Sequence, residues 1–357
     1  MDMVTAPIFE KTRKFLKNKL AENCTRSSKF IIFNKSIMAK HPDIELDTAS
    51  VFKSVIQMIS TLDTDRACRE HLERLRWNSE PVCPHCGSQR KNHYQLKYDG
   101  VFNGLHKCKD CRKRFTVTVG TIFHGSQISL RKWFMAIYIF SSHKKGISSV
   151  QLAKDIDVTQ KSAWFMLSRI RSSFKSEVEF EFEGIVQVDE TFIGGKNKNR
   201  SKNKKVENSQ GRSLKTKTPV FGMVCDGLVY TEVIENTRGK TLKPIIRGKV
   251  KAGCTIVSDG WMGYRGLSED YKHKVIQHNL GIFKQGPYHT NSIEGFWSQL
   301  KRGIIGIYHY TSPKHLHRYC DEFAYRYNTC KMSDGERFNL SLVNSDIRLM
   351  YRDLIAD

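Results

Sequence analysis

Two short cysteine pairs constrain the folding of this chain more than any other feature. Cys83-Pro84-His85-Cys86-Gly87 and Cys108-Lys109-Asp110-Cys111-Arg112 are separated by 21 residues. A Cys-x-x-Cys turn places two thiolates on one side of the backbone, and two such turns complete a closed tetrahedral site. The spacer has room for two strands, His93–Tyr98 and Leu105–Lys107, and Arg114–Val119 supplies a third after the second pair. Residues 80–120 therefore read as a zinc ribbon holding one structural Zn²⁺, with a structural iron–sulfur centre as the alternative. Four thiolates close the shell, so His85 and His106 read as surface residues. The remaining six of the ten cysteines follow no spacing rule, which fits a reducing compartment better than a disulfide framework.

The chain of 357 residues carries 59 Lys+Arg against 36 Asp+Glu, a formal charge of +23. A protein this basic meets a polyanion, and nucleic acid is the first candidate. A membrane is the rival, but the longest apolar run, Trp133 to Phe140, is far short of the ~20 residues a span needs. Phe9 to Leu20 is broken by five basic residues and is no signal-peptide core. The expected location is cytoplasmic, and nucleoid-associated if the partner is DNA.

Residues 1–45 read as a basic N-terminal extension, flexible or partly helical. A helical segment follows over 46–79, with Val51, Val55, Ile56 and Ile59 as one apolar stripe and Thr64 as the cap of a second helix. Residues 127–175 form a further helical region. Within it, Ser148–Ile156, a turn at Asp157–Thr159 and Gln160–Arg171 match a helix-turn-helix. Gln160, Lys161 and Ser162 then stand where a recognition helix meets base edges, with Arg169 and Arg171 at phosphates. Plain core helices are the alternative. Trp133, Phe134 and Tyr138 read as core.

Strands are expected at Ile185–Ile193, Pro219–Val224, Leu228–Ile234, Thr255–Ser258 and Lys274–His278, with a helix from Thr241 to Val250 among them. Helices are expected again at 291–306 and 313–331. The loop 195–217 holds nine Lys/Arg and one Glu. It reads either as a solvated insertion or as a phosphate-contacting arm that uses Lys196, Lys198, Arg200, Lys204 and Lys205. Residues 336–357 read as a C-terminal tail.

Asp189 interrupts the apolar alternation of Val186–Phe192, and an ionised carboxylate buried there is costly unless a cation compensates it. Asp259 directly follows the apolar strand Thr255–Ser258. In a helix starting near Asn291, the residues Asn291, Glu294, Ser298 and Lys301 lie close to one face, with Ile293, Phe296, Trp297 and Leu300 on the adjoining apolar face. Three carboxylates suit a pair of Mg²⁺ ions, which promote in-line displacement at phosphorus. Glu322 and Arg326 read as a helix-stabilising pair or as a further catalytic-face pair, and His289 is within reach of DNA or metal.

These strings together resemble a known family. Val188-Asp189-Glu190-Thr191-Phe192-Ile193-Gly194-Gly195-Lys196, Ser258-Asp259-Gly260-Trp261, His289-Thr290-Asn291-Ser292-Ile293-Glu294-Gly295-Phe296-Trp297 and Tyr325-Arg326-Tyr327-Asn328 are similar to bacterial insertion-sequence DDE transposases of the ISXO-type branch. The stretches Leu75-Arg76-Trp77, Cys83–Ser88 and Phe115–Phe123 are similar to the zinc-ribbon part of the same proteins. The resemblance spans about 75–328. It implies an α/β fold: an RNase H-like catalytic domain over 184–335, a mixed sheet flanked by helices, preceded by the ribbon and the helix-turn-helix-like region.

The resemblance also implies Asp189 and Asp259 as the first two ligands of Mg²⁺ or Mn²⁺. Either Glu294 or Asn291 is third, with Glu294 the better ligand on charge, and Lys301 follows Glu294 by seven residues. The implied activity is DNA nicking at element ends and strand transfer to target DNA, by a homodimer or higher multimer on double-stranded DNA. The alternatives are a non-catalytic DNA-binding derivative and an RNase H-like nuclease.

Overall fold

The computed structural model describes residues 51–356, apart from 79, 90–92, 175–180, 196, 208, 210 and 212. The extension at 1–45 and the candidate Lys196 lie outside the described residues. The first helices are α1 (Val55–Thr61) and α2 (Asp65–Trp77). Thr64 caps α2 by accepting from the Ala67 N–H, as its position suggests. The buried face near α1 is Phe52, Met58 and Leu62, whereas Ile56 is exposed. In a two-turn helix several stripes fit the apolar residues, and tertiary packing selects among them.

The ribbon strands β1 (Tyr94–Tyr98), β2 (Val101–Lys107) and β3 (Arg114–Phe115) form an antiparallel sheet in that order. The ribbon docks on α2 through Trp77, which packs edge-on against both His106 and Phe115. His106 is therefore not a surface residue. It is buried, stacked on Phe115 at 5.3 Å, and this apolar setting lowers its pKa to about 4. His85 is exposed as expected. Gly104 of β2 admits the Arg69 side chain, whose Cδ lies 2.3 Å from where a Cβ would stand.

Three helices follow: α3 (Leu130–Ser142), α4 (Ser149–Asp155) and α5 (Gln160–Ser172). Trp133, Phe134 and Tyr138 are buried core residues on α3. Asp157 turns the chain between α4 and α5 in the left-handed region, at φ 51°.

The central sheet contains β4 (Ile185–Ile193), β5 (Thr218–Cys225), β6 (Leu228–Val233), β7 (Thr255–Ser258) and β8 (Lys272–Val275) in the order β6-β5-β4-β7-β8. β4, β5 and β6 pair antiparallel, whereas β7 and β8 run parallel to β4. This mixed sheet, with β4 at its centre, is the RNase H-like arrangement. Helix α6 (Gly239–Arg247) joins β6 to β7 and buries Leu242 and Ile246. After β8, a small hairpin of β9 (Lys284–Gln285) and β10 (Tyr288–His289) leads into α7 (Asn291–Gly303). A π-helical turn (Ile304–Tyr308) and α8 (Leu316–Asn328) follow.

One face of the sheet packs on α7 and α8. Ile193, Val220, Val224 and Val229 meet Ile293, Phe296, Trp297 and Leu300 of α7 and Leu316, Cys320 and Phe323 of α8 in one buried cluster. The period-2 alternation of β4 decides what points there: Gln187, Asp189 and Ile193 share this face.

Residues 336–357 do not form the expected tail. Helix α9 (Asp334–Val343), opened by a Ser333/Glu336 capping box, packs on α3 and α2. Its Phe338 is fully buried against Phe52 and Phe134, and Asn339 meets His71 at 3.1 Å. A short α10 (Tyr351–Ile355) buries Leu354. No helix among the described residues is long and apolar enough to cross a membrane.

Candidate catalytic site and zinc ribbon

The Sγ atoms of Cys83, Cys86, Cys108 and Cys111 all lie within 4.8 Å of one another, with Cys83–Cys111 at 3.6 Å and Cys86–Cys108 at 3.7 Å. A tetrahedron with metal–sulfur bonds of ~2.3 Å has edges of about 3.8 Å, so the four thiols fit a zinc ion and are too far apart for disulfides. Both knuckles turn in the left-handed region just after their second cysteine, at Gly87 (φ 70°) and Arg112 (φ 60°).

The carboxylates belong to the central sheet and α7. In the parallel β4–β7 ladder, Ile185, Val186 and Gln187 face Thr255, Ile256 and Val257. Asp259 directly follows β7, the strand beside β4, and is near enough for its charge to act on Asp189. Asp189 is half-buried, and its Oδ2 accepts a 3.0 Å bond from the Trp297 indole of α7. Burial, then the charge of Asp259 and more weakly that of Glu294, pushes Asp189 up to about 6, against the pull of the Trp297 and Glu190 N–H groups. Asp259 Oδ1 accepts from the Trp261 N–H at 3.0 Å.

Glu294 stands exposed in the first turn of α7. Thr290 Oγ1 donates to its Oε1 at 2.7 Å, and His278 Nε2 lies 3.5 Å from the same oxygen and 3.0 Å from Thr290 Oγ1. Asn291 is the exposed first residue of α7, and Lys301 is exposed near its end.

Several residues that hold this arrangement were not foreseen. Gln187 Oε1 accepts from the Ser292 and Ile293 N–H groups at 3.0 and 3.3 Å, so β4 supplies the N-terminal cap of α7. Gly222, the cross-strand partner of Asp189, leaves space for the Trp297 ring, since a Cβ there would lie 2.6 Å from two of its carbons. Trp297 reads in sequence simply as core, yet it is the donor to Asp189. The available signals were a polar residue and a glycine inside buried strands, both of which need a reason. His278 carried no such signal, because only the fold brings it to Glu294. His289, one of the expected candidates, lies 3.4 Å from the Gln187 amide.

The expected DNA contacts divide. Lys161 is exposed at the start of α5. Gln160 bonds Ser149 at 2.9 Å, and Ser162 bonds the capping Thr159, so both brace the α4–α5 turn. Arg169 is not at the surface. It is buried and donates to the carbonyls of Leu349, Ile122 and His124. Arg171 is likewise buried and donates to Glu322 at 2.8 Å. In the loop after β4, Lys198, Lys204 and Lys205 are exposed and Arg200 is half-buried. Glu322 is fully buried and also pairs with Arg326 at 2.8 Å, so the Glu322–Arg326 pair is a core feature.

Comparison with known proteins follows the same division. Residues 181–328 match the ISXO2-like transposase domain, and residues 63–114 match the transposase zinc-ribbon domain. A Halobacterium salinarum protein, described as an uncharacterized protein in transposable element ISH50, is 26% identical over 261 residues, covering 69% of this chain and 85% of its own. An uncharacterized transposase-like protein of Haemophilus influenzae is 30% identical over 105 residues, covering 29% of this chain and 84% of its own. A crystal structure of a pre-cleavage Mos1 transpososome covers 56% of this chain and 78% of its own at 13% identity, but its TM-score of 0.18 carries no weight. The fold and the two matched domains define a zinc-ribbon transposase with an RNase H-like domain. The chain belongs to the ISXO2-like transposase family.

Proposed function

We propose that this chain binds the ends of an insertion sequence and catalyses metal-dependent cleavage and strand transfer of DNA. The observation that supports this best is Asp189. It is a carboxylate with a raised pKa on the central strand, under the charges of Asp259 and Glu294. Such a group calls for a cation, and an all-carboxylate donor set suits Mg²⁺ or Mn²⁺. Asp189, Asp259 and Glu294 would hold the metal, with Asn291 as the competing third oxygen donor. When bound, the metal stabilises the attacking and leaving oxygens of an in-line displacement.

The chain's own groups orient the ligands. Trp297 fixes Asp189, the Trp261 N–H fixes Asp259, and Thr290 and His278 fix Glu294 through Oε1. Lys301 meets a phosphate beside them. The ribbon, with its structural zinc, and the α4–α5 pair grip double-stranded DNA, assisted by Lys161, Lys198, Arg200, Lys204 and Lys205. Two element ends must be joined in one event, which fits a homodimer or higher multimer.

A strand-transfer assay with Mg²⁺ or Mn²⁺, on duplexes carrying the element's ends, tests this reading. Asp189→Asn and Asp259→Asn are expected to abolish product while DNA binding persists. Strand transfer by either variant overturns the assignment. Binding without cleavage by the native chain indicates a non-catalytic derivative, and cleavage without joining indicates a nuclease.

A further inference from the structure

We propose that the segment from Gln277 to Tyr288 seats unpaired nucleobases beside the phosphate that the carboxylates cleave. This deepens the reading of Asp189, Asp259 and Glu294 as a DNA-cleaving site and rests on it. Leu280, Ile282 and Phe283 are 66%, 43% and 59% exposed, three large apolar side chains within four residues. Solvent alone gives no reason for such a patch, and contiguous exposed apolar surface marks a binding site.

Its position restricts what it binds. The Phe283 ring lies 5.5 Å from the His278 ring, tilted by 50°. His278 in turn lies 3.5 Å from Glu294 Oε1. Phe283 is therefore linked to Glu294 through the single side chain of His278.

Its charge restricts the occupant further. Between Asp270 and Glu294 the chain has no acidic residue, whereas Lys272, Lys274 and Lys284 are present and exposed. Lys274 lies over the Tyr288 ring at 5.8 Å, which anchors that cation at the base of the hairpin. Aromatic and aliphatic faces on a segment that carries cations and no acidic residue of its own suit stacked bases on a phosphate backbone. Bases inside an intact duplex offer no face to stack on, so those seated here must be unpaired.

The test measures binding of the zinc-loaded full chain with no Mg²⁺ or Mn²⁺ added, so that the DNA stays uncut. The probes are a fluorescent oligothymidylate of about 12 nucleotides and a duplex of similar length. Phe283→Ala is expected to weaken oligothymidylate binding by about tenfold, Phe283→Trp to retain it, and duplex affinity to change by less than about twofold. Iodouracil-substituted oligothymidylate is expected to cross-link to the 277–288 peptide. These side chains are exposed, and an unchanged zinc content and circular dichroism spectrum confirm that each variant is folded.

Unchanged oligothymidylate affinity in both Phe283→Ala and a triple Leu280→Ser/Ile282→Ser/Phe283→Ser variant overturns the proposal. So does loss of self-association by the triple variant in sedimentation, which makes a second copy the occupant. Base binding that survives while the native chain fails to cleave DNA overturns only the catalytic reading.

Discussion

Asp189 couples the stability of the fold to pH. Burial and Asp259 hold its carboxyl at about 6, above the ordinary value near 4. As pH rises through that interval, the unfolded chain releases its proton first and the folded chain keeps it. The metal-free fold therefore loses stability between about pH 4 and 6 from this group and carries the full penalty at every higher pH. Asp189→Asn removes the penalty. The metal-free variant is expected to melt roughly 2–4 °C above the native chain at pH 7.5, with the advantage gone near pH 3.5. On the proposed reading of the site, Mg²⁺ or Mn²⁺ is expected to raise the melting temperature of the native chain and not that of the variant. A variant no more stable than the native chain at pH 7.5 contradicts this account of Asp189.

The element that matters most to the site is α7, and β4 and β5 hold it. Gln187 caps its first turn, Trp297 reaches Asp189 from its second, and Gly222 leaves the space that Trp297 crosses. Gly222→Ala places a methyl group where the ring now lies, and neither the strand nor the indole yields easily. The expected cost is about 1–3 kcal/mol by denaturant unfolding, with strand transfer falling as Trp297 leaves Asp189 and Glu294 shifts with its helix. Native stability and native activity together mean that α7 is not clamped in this way. The sequence made β4 and α7 legible because each carries a clear period, of 2 or 3.6 residues, and β7 because it is a short apolar run before Asp259. It marked Asp189 as an anomaly in a buried strand. Gln187, Gly222 and His278 escaped because their roles lie in contacts between distant segments, which no local pattern encodes.

At the scale of the molecule, the same blindness explains the C-terminal segment. Read linearly, 336–357 trails the last domain, but α9 returns to complete the core formed by α2 and α3, with Phe338 against Phe134 and Phe52. The arginines of α5 depart from their expected place for a related reason: on a surface helix they would face phosphates, but α5 is covered by α8. Arg171 crosses to Glu322 of α8, which also accepts from Arg326 and from Tyr308 in the turn after α7. Burial alone would push the Glu322 carboxyl up, but Arg326 and Arg171 outweigh it and hold it below its ordinary range. One buried carboxylate thus joins the α4–α5 pair to the helices packed on the central sheet. Glu322→Gln leaves two buried guanidinium groups without a counter-charge, and the expected loss is about 3–5 kcal/mol by denaturant unfolding. The ion pair is not the best stabiliser this space allows, so Arg171→Met combined with Glu322→Leu is expected to recover part of that loss. If the single change costs less than about 1 kcal/mol, as exposed ion pairs do, the cluster does not couple the two halves of the chain. If it costs several and the double variant is worse still, the shape of the cluster matters more than its charge.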